Sequence, residues 1–144
     1  MNLDTPTNTV LYAIEETIKA YRKLSFKNIA SVVKGITVDQ ALILIIIDKN
    51  ELTQTELADL IFKDYASITR ILNLMIQKEY IIKTTNKNDR RKTKIKITQK
   101  GINTIKMLNP VIKKNRETAL RNISTHEQVK LYETLSKITQ NCKF

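Results

Sequence analysis

Two stretches of this sequence have chemistry to offer: a polar set between Ala66 and Gln77, and a run of cations that follows it. Projected at 100° per residue, Ala66, Arg70, Asn73 and Gln77 fall on one side of a helix, with Ser67 and Thr69 flanking them. Arginine can bond guanine through two parallel hydrogen bonds and an amide can do the same with adenine, while small and hydroxylated residues allow close approach to a groove floor. An ordinary solvated helix face would have a similar composition, and these residues alone do not choose between the two. The second stretch is less ambiguous. Residues 83–100 hold eight cations (Lys83, Lys87, Arg90, Arg91, Lys92, Lys94, Lys96 and Lys100) against Asp89, so this segment carries +7 of the chain's +11. Charge that concentrated is the footprint of a surface facing phosphates.

Other chemistries lack their residues. No glycine-rich phosphate loop, paired carboxylates or nucleophile with a histidine partner is recognisable, so catalysis is not expected and no cofactor is called for. One histidine, His126, and one cysteine, Cys142, do not make a zinc site without several carboxylates. The lone cysteine also excludes an intramolecular disulfide and fits a reducing compartment. The first residues lack the basic and apolar regions of a secretory signal. The longest apolar run, Ala41 to Ile47, is far short of the ~20 residues that span a bilayer. A cytoplasmic protein without a membrane partner is the expectation.

The elements that must carry these residues can be read from caps and periodicity. At 144 residues the chain is one domain's worth, and with two glycines and two prolines it should be mainly helical. Residues 7 to about 33 read as one helix of about 40 Å, with Val10, Ile14, Ile18 and Tyr21 along one face and Gly35 supplying the stop. That is longer than a small domain needs, which predicts that its apolar residues meet a second subunit. Thr37 and Gln40 form a capping box for a helix through Ala41–Ile47 that is apolar all round; its β-branched residues also allow a buried strand, but the caps favour helix. Leu52 either begins a short third strand or staples the next helix. Thr53 and Glu56 form a second box, opening a helix with Leu57, Leu60 and Ile61 on one side. Asp64 caps a helix with Ile68, Ile71, Leu72 and Met75 at i, i+3, i+4, i+7.

Two β-prone runs follow, Ile81–Thr85 and the alternating Thr93–Thr98, joined by a turn-forming basic loop. Thr98 caps the next helix, in which Pro110 predicts a kink near Met107 to Asn109. Ser124 and Glu127 box the start of a final helix carrying Val129, Leu131, Leu135 and Ile138. The fold class is thus mainly α with a small β-wing: a winged helix-turn-helix.

The residues also resemble a known family. Asp89, Arg91, Ile97, Thr98 and Gly101 match the D-x-R-x5-[LI]-T-x-x-G wing signature of the MarR family of transcriptional regulators. Thr69-Arg70 sits where that family has a T-R pair, and Ile36-Thr37-Val38-Asp39-Gln40 resembles its L-T-x-x-Q. The resemblance covers nearly the whole chain, 1–144. It implies a winged helix-turn-helix lobe over 36–101 and a helical dimerisation region from 1–34 and 102–144. It further implies a homodimer reading double-stranded DNA as a near-palindrome, its two reading helices about 34 Å apart. By the resemblance Arg91 reaches the minor groove and Asp89 shapes the wing, with Arg90 as the other candidate for the groove and Lys87 and Lys92 beside them. Members often take aromatic or phenolic effectors in a crevice between the lobes, for which Tyr12, Tyr21, Phe26 and Tyr65 are the aromatic candidates; no residue identifies a ligand. Some relatives sense oxidants through cysteine, but Cys142 lies near the chain end without an enclosing site, and a switch there is not expected. Two departures stand out. Phe62 stands where the family commonly has a glycine at the turn, and Glu79 where a glycine usually ends the reading helix; a non-glycine residue disfavours positive φ, so Glu79 can shift that helix end by a residue or two. An architectural protein that binds nucleic acid without strong sequence preference is the alternative.

Overall fold

The computed structural model describes residues 5–85, 88 and 93–144. Among them are six α-helices and one two-stranded antiparallel sheet: α1 (Val10–Ala30), α2 (Val38–Lys49), α3 (Gln54–Leu60), α4 (Tyr65–Gln77), β1 (Ile81–Thr84), β2 (Lys94–Ile97), α5 (Gln99–Ala119) and α6 (Thr125–Cys142).

α1 is shorter at both ends than its periodicity predicts. A 3-10 turn, Pro6–Asn8, precedes it; Thr9 is extended and caps the helix by accepting from the Tyr12 N–H. At the other end the Ser31 hydroxyl donates to the Asn28 carbonyl at 2.6 Å, and the N–H groups of Val32 and Val33 both turn back to the Ile29 carbonyl. Local hydrogen bonding of this kind competes with helix continuation. Gly35, at φ 78°, therefore shapes the turn into α2 rather than ending α1.

α2 is a helix with the full Thr37–Gln40 capping box, and Ala41, Ile43, Leu44 and Ile47 are buried on it. With Leu57, Ile68, Leu72, Met75, Ile81, Ile105 and Leu108 these residues form one contiguous core. Leu52 packs on this core from the residue before the Thr53 cap, and it is not part of a third strand: the sheet has two strands among the described residues. The Thr53 and Ser124 boxes are half made. Each hydroxyl accepts from the N3 backbone, but Glu56 and Glu127 accept from those hydroxyls instead of reaching the cap's own N–H. Leu60 lies outside the core, 53% exposed.

The strands pair Ile81 with Ile97 and Lys83 with Ile95, which sets Ile95 and Ile97 against the core and leaves Lys94 and Lys96 exposed. α5 runs unbroken through Pro110. Asn28 of α1 donates to Asn115 of α5 at 2.7 Å, and Asn115 is buried. No residue of α6 is buried.

Candidate nucleic-acid interface

Burial decides which side of α4 is available. Ile68, Leu72 and Met75 are wholly buried and Ile71 is packed beside them, so the opposite side faces out. Ala66, Arg70, Asn73 and Gln77 are exposed; Ser67 and Thr69 are half-buried. The helix starts where Asp64 accepts from the Ser67 N–H at 2.7 Å. That backbone hydrogen bond, with the Ser67 hydroxyl and the Arg70 guanidinium as smaller causes, holds the Asp64 carboxyl below its ordinary value.

Thr69 is already engaged. Its hydroxyl donates to the Tyr65 carbonyl at 3.0 Å and accepts from Nε2 of the buried Gln54 at 2.6 Å, so it ties α3 to the reading helix. Gln54 was not singled out from the sequence. Its position just after a cap gave no reason to expect a buried amide.

The two glycine-like positions have a common geometry. At the end of α4, Glu79 adopts φ 65°, its N–H bonds the Ile76 carbonyl at 2.9 Å, and the Tyr80 N–H bonds the Met75 carbonyl at 3.0 Å. At the end of α3, Phe62 adopts φ 60°, its N–H meets the Asp59 carbonyl, and the Lys63 N–H bonds Ala58 at 3.0 Å. Both are Schellman closures with an L residue at the left-handed site. They fix the end of the reading helix at Gln77, with Lys78 as its cap.

The base of the hairpin explains two letters of the wing signature. The Thr98 hydroxyl accepts from the Gly101 N–H at 3.1 Å, starting α5, and lies 2.6 Å from the Glu79 carbonyl oxygen, to which it donates. A Cβ at Gly101 would collide with the Tyr80 carbonyl oxygen and come within 2.6 Å of Ile97 Cγ1. Lys100, one of the eight cations, donates from Nζ to the Lys78 carbonyl at 2.6 Å and lies 5.0 Å from the Tyr80 ring centroid. It closes the C-terminal end of α4, where the helix dipole favours a cation. Lys87, Asp89, Arg90, Arg91 and Lys92 lie outside the described residues.

The aromatic candidates for an effector crevice are spread out. Tyr65 is the first residue of α4, 58% exposed beside Ala66, whereas Tyr12, Tyr21 and Phe26 lie on α1. Tyr12 lines a surface groove of about 420 Å³ with Glu15, Glu16, Lys19, Ala20 and Lys23.

An α3–turn–α4 pair with an outward polar face, followed directly by an antiparallel hairpin, defines a winged helix-turn-helix protein. Residues 34–92 match the model of the MarR family. The fold extends beyond the matched segment. A mutant MarR from E. coli complexed with operator DNA aligns with a TM-score of 0.83 at 20% identity, over 96% of this chain and 99% of that one. BpsR of Bordetella bronchiseptica, whose DNA binding is regulated by 6-hydroxynicotinic acid, aligns at 0.81 and 14% identity over 94% and 96%. A probable transcriptional regulator from Pseudomonas aeruginosa aligns at 0.78 and 17% identity over 93% and 99%.

Proposed function

We propose that the protein is a homodimeric, sequence-specific DNA-binding transcriptional regulator, acting as a repressor on a near-palindromic site. The single observation that carries this is the bare polar side of α4, with Ala66, Arg70, Asn73 and Gln77 exposed, followed in the chain by a segment, residues 83–100, that carries +7 of the net +11. In this reading α4 enters the major groove, Arg70 bonds a base, and the wing residues Lys87, Arg90, Arg91 and Lys92 lie in or beside the minor groove. The operator complex of the E. coli MarR relative supports the same use of the fold. Ser67 and Thr69 are contacts at the edge of the face.

Residues 1–34 and 102–144 form the dimerisation region. In support, α6 has no fully buried residue and exposes Val129, Leu131 and Tyr132, while α1 exposes Val10, Leu11 and Ile18. Exposed apolar surface of this extent marks an interface. Release by a small aromatic effector is part of the proposal, supported by the 6-hydroxynicotinic acid response of BpsR.

Selection of bound fragments from genomic DNA, followed by titration against the best fragment and random duplex, tests the function. A regulator prefers its own site by about 10³ or more and yields two-fold symmetric fragments. An affinity ratio near one would make the protein an architectural nucleic-acid binder instead.

A further inference from the structure

The reading helix is tied at both ends to one short segment, residues 35–40, which spans the end of the α1–α2 link and the first turn of α2. Before its N-terminus, Lys63 Nζ lies 3.7 Å from Asp39 Oδ2. After its C-terminus, Lys78 Nζ donates to the Gly35 carbonyl oxygen and, at 3.2 Å, to Gln40 Oε1. The same segment is tied to α1, because Arg22 Nη2 lies 2.5 Å from Asp39 Oδ1. Asp39 thus joins a cation from α1 and one from the helix-turn-helix turn on its two oxygens. Gln40 is buried, and its Oε1 also accepts from the Thr37 N–H at 3.3 Å, so the second anchor is part of the α2 capping box.

From this we infer that Arg22, Asp39, Lys63 and Lys78 are positioning residues: a clamp that sets the attitude of α4 relative to α1. A helix of 13 residues is about 20 Å long, and anchors beyond both its ends resist a swing that one anchor would permit. The inference rests on the proposed reading of the protein as a dimer that binds two half-sites. With α1 in the dimerisation region, the angle between α1 and α4 determines the half-site separation the dimer fits. The two lysines have a second consequence. Their ammonium groups are already paired within the chain, so in this reading they add to the net charge without being phosphate contacts.

The test uses the full chain and the best duplex from genomic selection, with versions lengthened or shortened by one base pair at the centre of symmetry. Asp39→Asn, Lys78→Met, Arg22→Gln, Lys63→Met and the pair Arg22→Gln/Asp39→Asn are compared with wild type for affinity, salt dependence and melting temperature. The clamp predicts that preference for the native spacing falls about 3- to 10-fold in Asp39→Asn and Lys78→Met, the size expected for losing a few partly exposed pairs. It also predicts an unchanged salt slope and a double variant no worse than Asp39→Asn alone. Two results would overturn it: equal losses on all spacings, or a salt slope that shrinks by about one in Lys63→Met or Lys78→Met, which would make that lysine a phosphate contact. Wild-type protein indifferent to spacing overturns the two-site reading itself, and the clamp with it.

Discussion

Phe62 and Glu79 sit at φ 60° and 65°, where an L residue's Cβ crowds the following carbonyl at a cost of about 1–2 kcal/mol. Phe62 is 92% exposed, so its ring returns little packing energy for that cost. Phe62→Gly is therefore expected to stabilise the protein by about 0.5–1 kcal/mol, the relief of crowding less the extra freedom of glycine in the unfolded chain. Urea titration would read this, and a loss of stability would show that the ring has a partner. Gly101 is the opposite case. Gly101→Ala must push apart the Tyr80 carbonyl and the Ile97 side chain, an overpacking expected to cost about 1–3 kcal/mol in the same titration. Asp64 supplies a pH dependence. Its carboxyl is held below the ordinary 3.8 by the Ser67 hydrogen bonds first and by Arg70 as a lesser cause, so its contribution is complete above 3.8 and is lost as pH falls from there through the lower folded value. Melting temperatures of wild type and Asp64→Asn should differ near neutrality and converge below pH 3.8; a gap constant with pH would assign the effect to cap geometry alone.

At the scale of elements, α4 is where local pattern and tertiary contact agree most closely. Its apolar stripe, its Asp64 cap and its outward polar side were all legible in the sequence, because cap chemistry and a 3.6-residue period are local signals. The hairpin was legible too, through strict alternation in Lys94–Ile97. What the sequence concealed depends on partners distant in the chain. Thr69 reads as a free hydroxyl until Gln54 is seen against it, and Lys100 reads as one more wing cation until the Lys78 carbonyl appears at its ammonium. α1 ends earlier than its periodicity suggests because Ser31 hydrogen-bonds the chain through its own side chain, a choice that periodicity does not record. Glu79 as an L residue disfavours positive φ, yet the backbone closes around it, since two hydrogen bonds at the helix end offset the crowding. Within α4, Arg70 is the residue we propose for base contact. Arg70→Ala should cost about 1–3 kcal/mol of binding and relax preference at one operator position, measured by titrating single-base variants of the selected site. Equal weakening on every sequence would make Arg70 a phosphate clamp.

Across the whole molecule the charge is uneven in a way that bears on binding. Residues 1–82 hold nine cations and ten carboxylates, so that part of the chain is close to neutral, while residues 83–100 carry +7 and residues 101–144 the remaining +5. A dimer would present twice the +11 of one chain, yet not all of it can face DNA. Lys100 closes α4, and Lys63, Lys78 and Arg22 are already paired with groups of the same chain. In the proposed dimer, phosphate contacts would come chiefly from the paired wings, with a few from the first turns of α3 and α4. Counting about 7–11 such contacts per dimer, each releasing counterions at about −0.9 per phosphate, gives a slope of roughly −6 to −10 for log affinity against log salt. Titration of the selected duplex at several salt concentrations measures this directly. A slope near zero would mean that the charge in residues 83–100 does not meet the phosphate backbone, and would leave the bare side of α4 without the electrostatic hold that brings it to a groove.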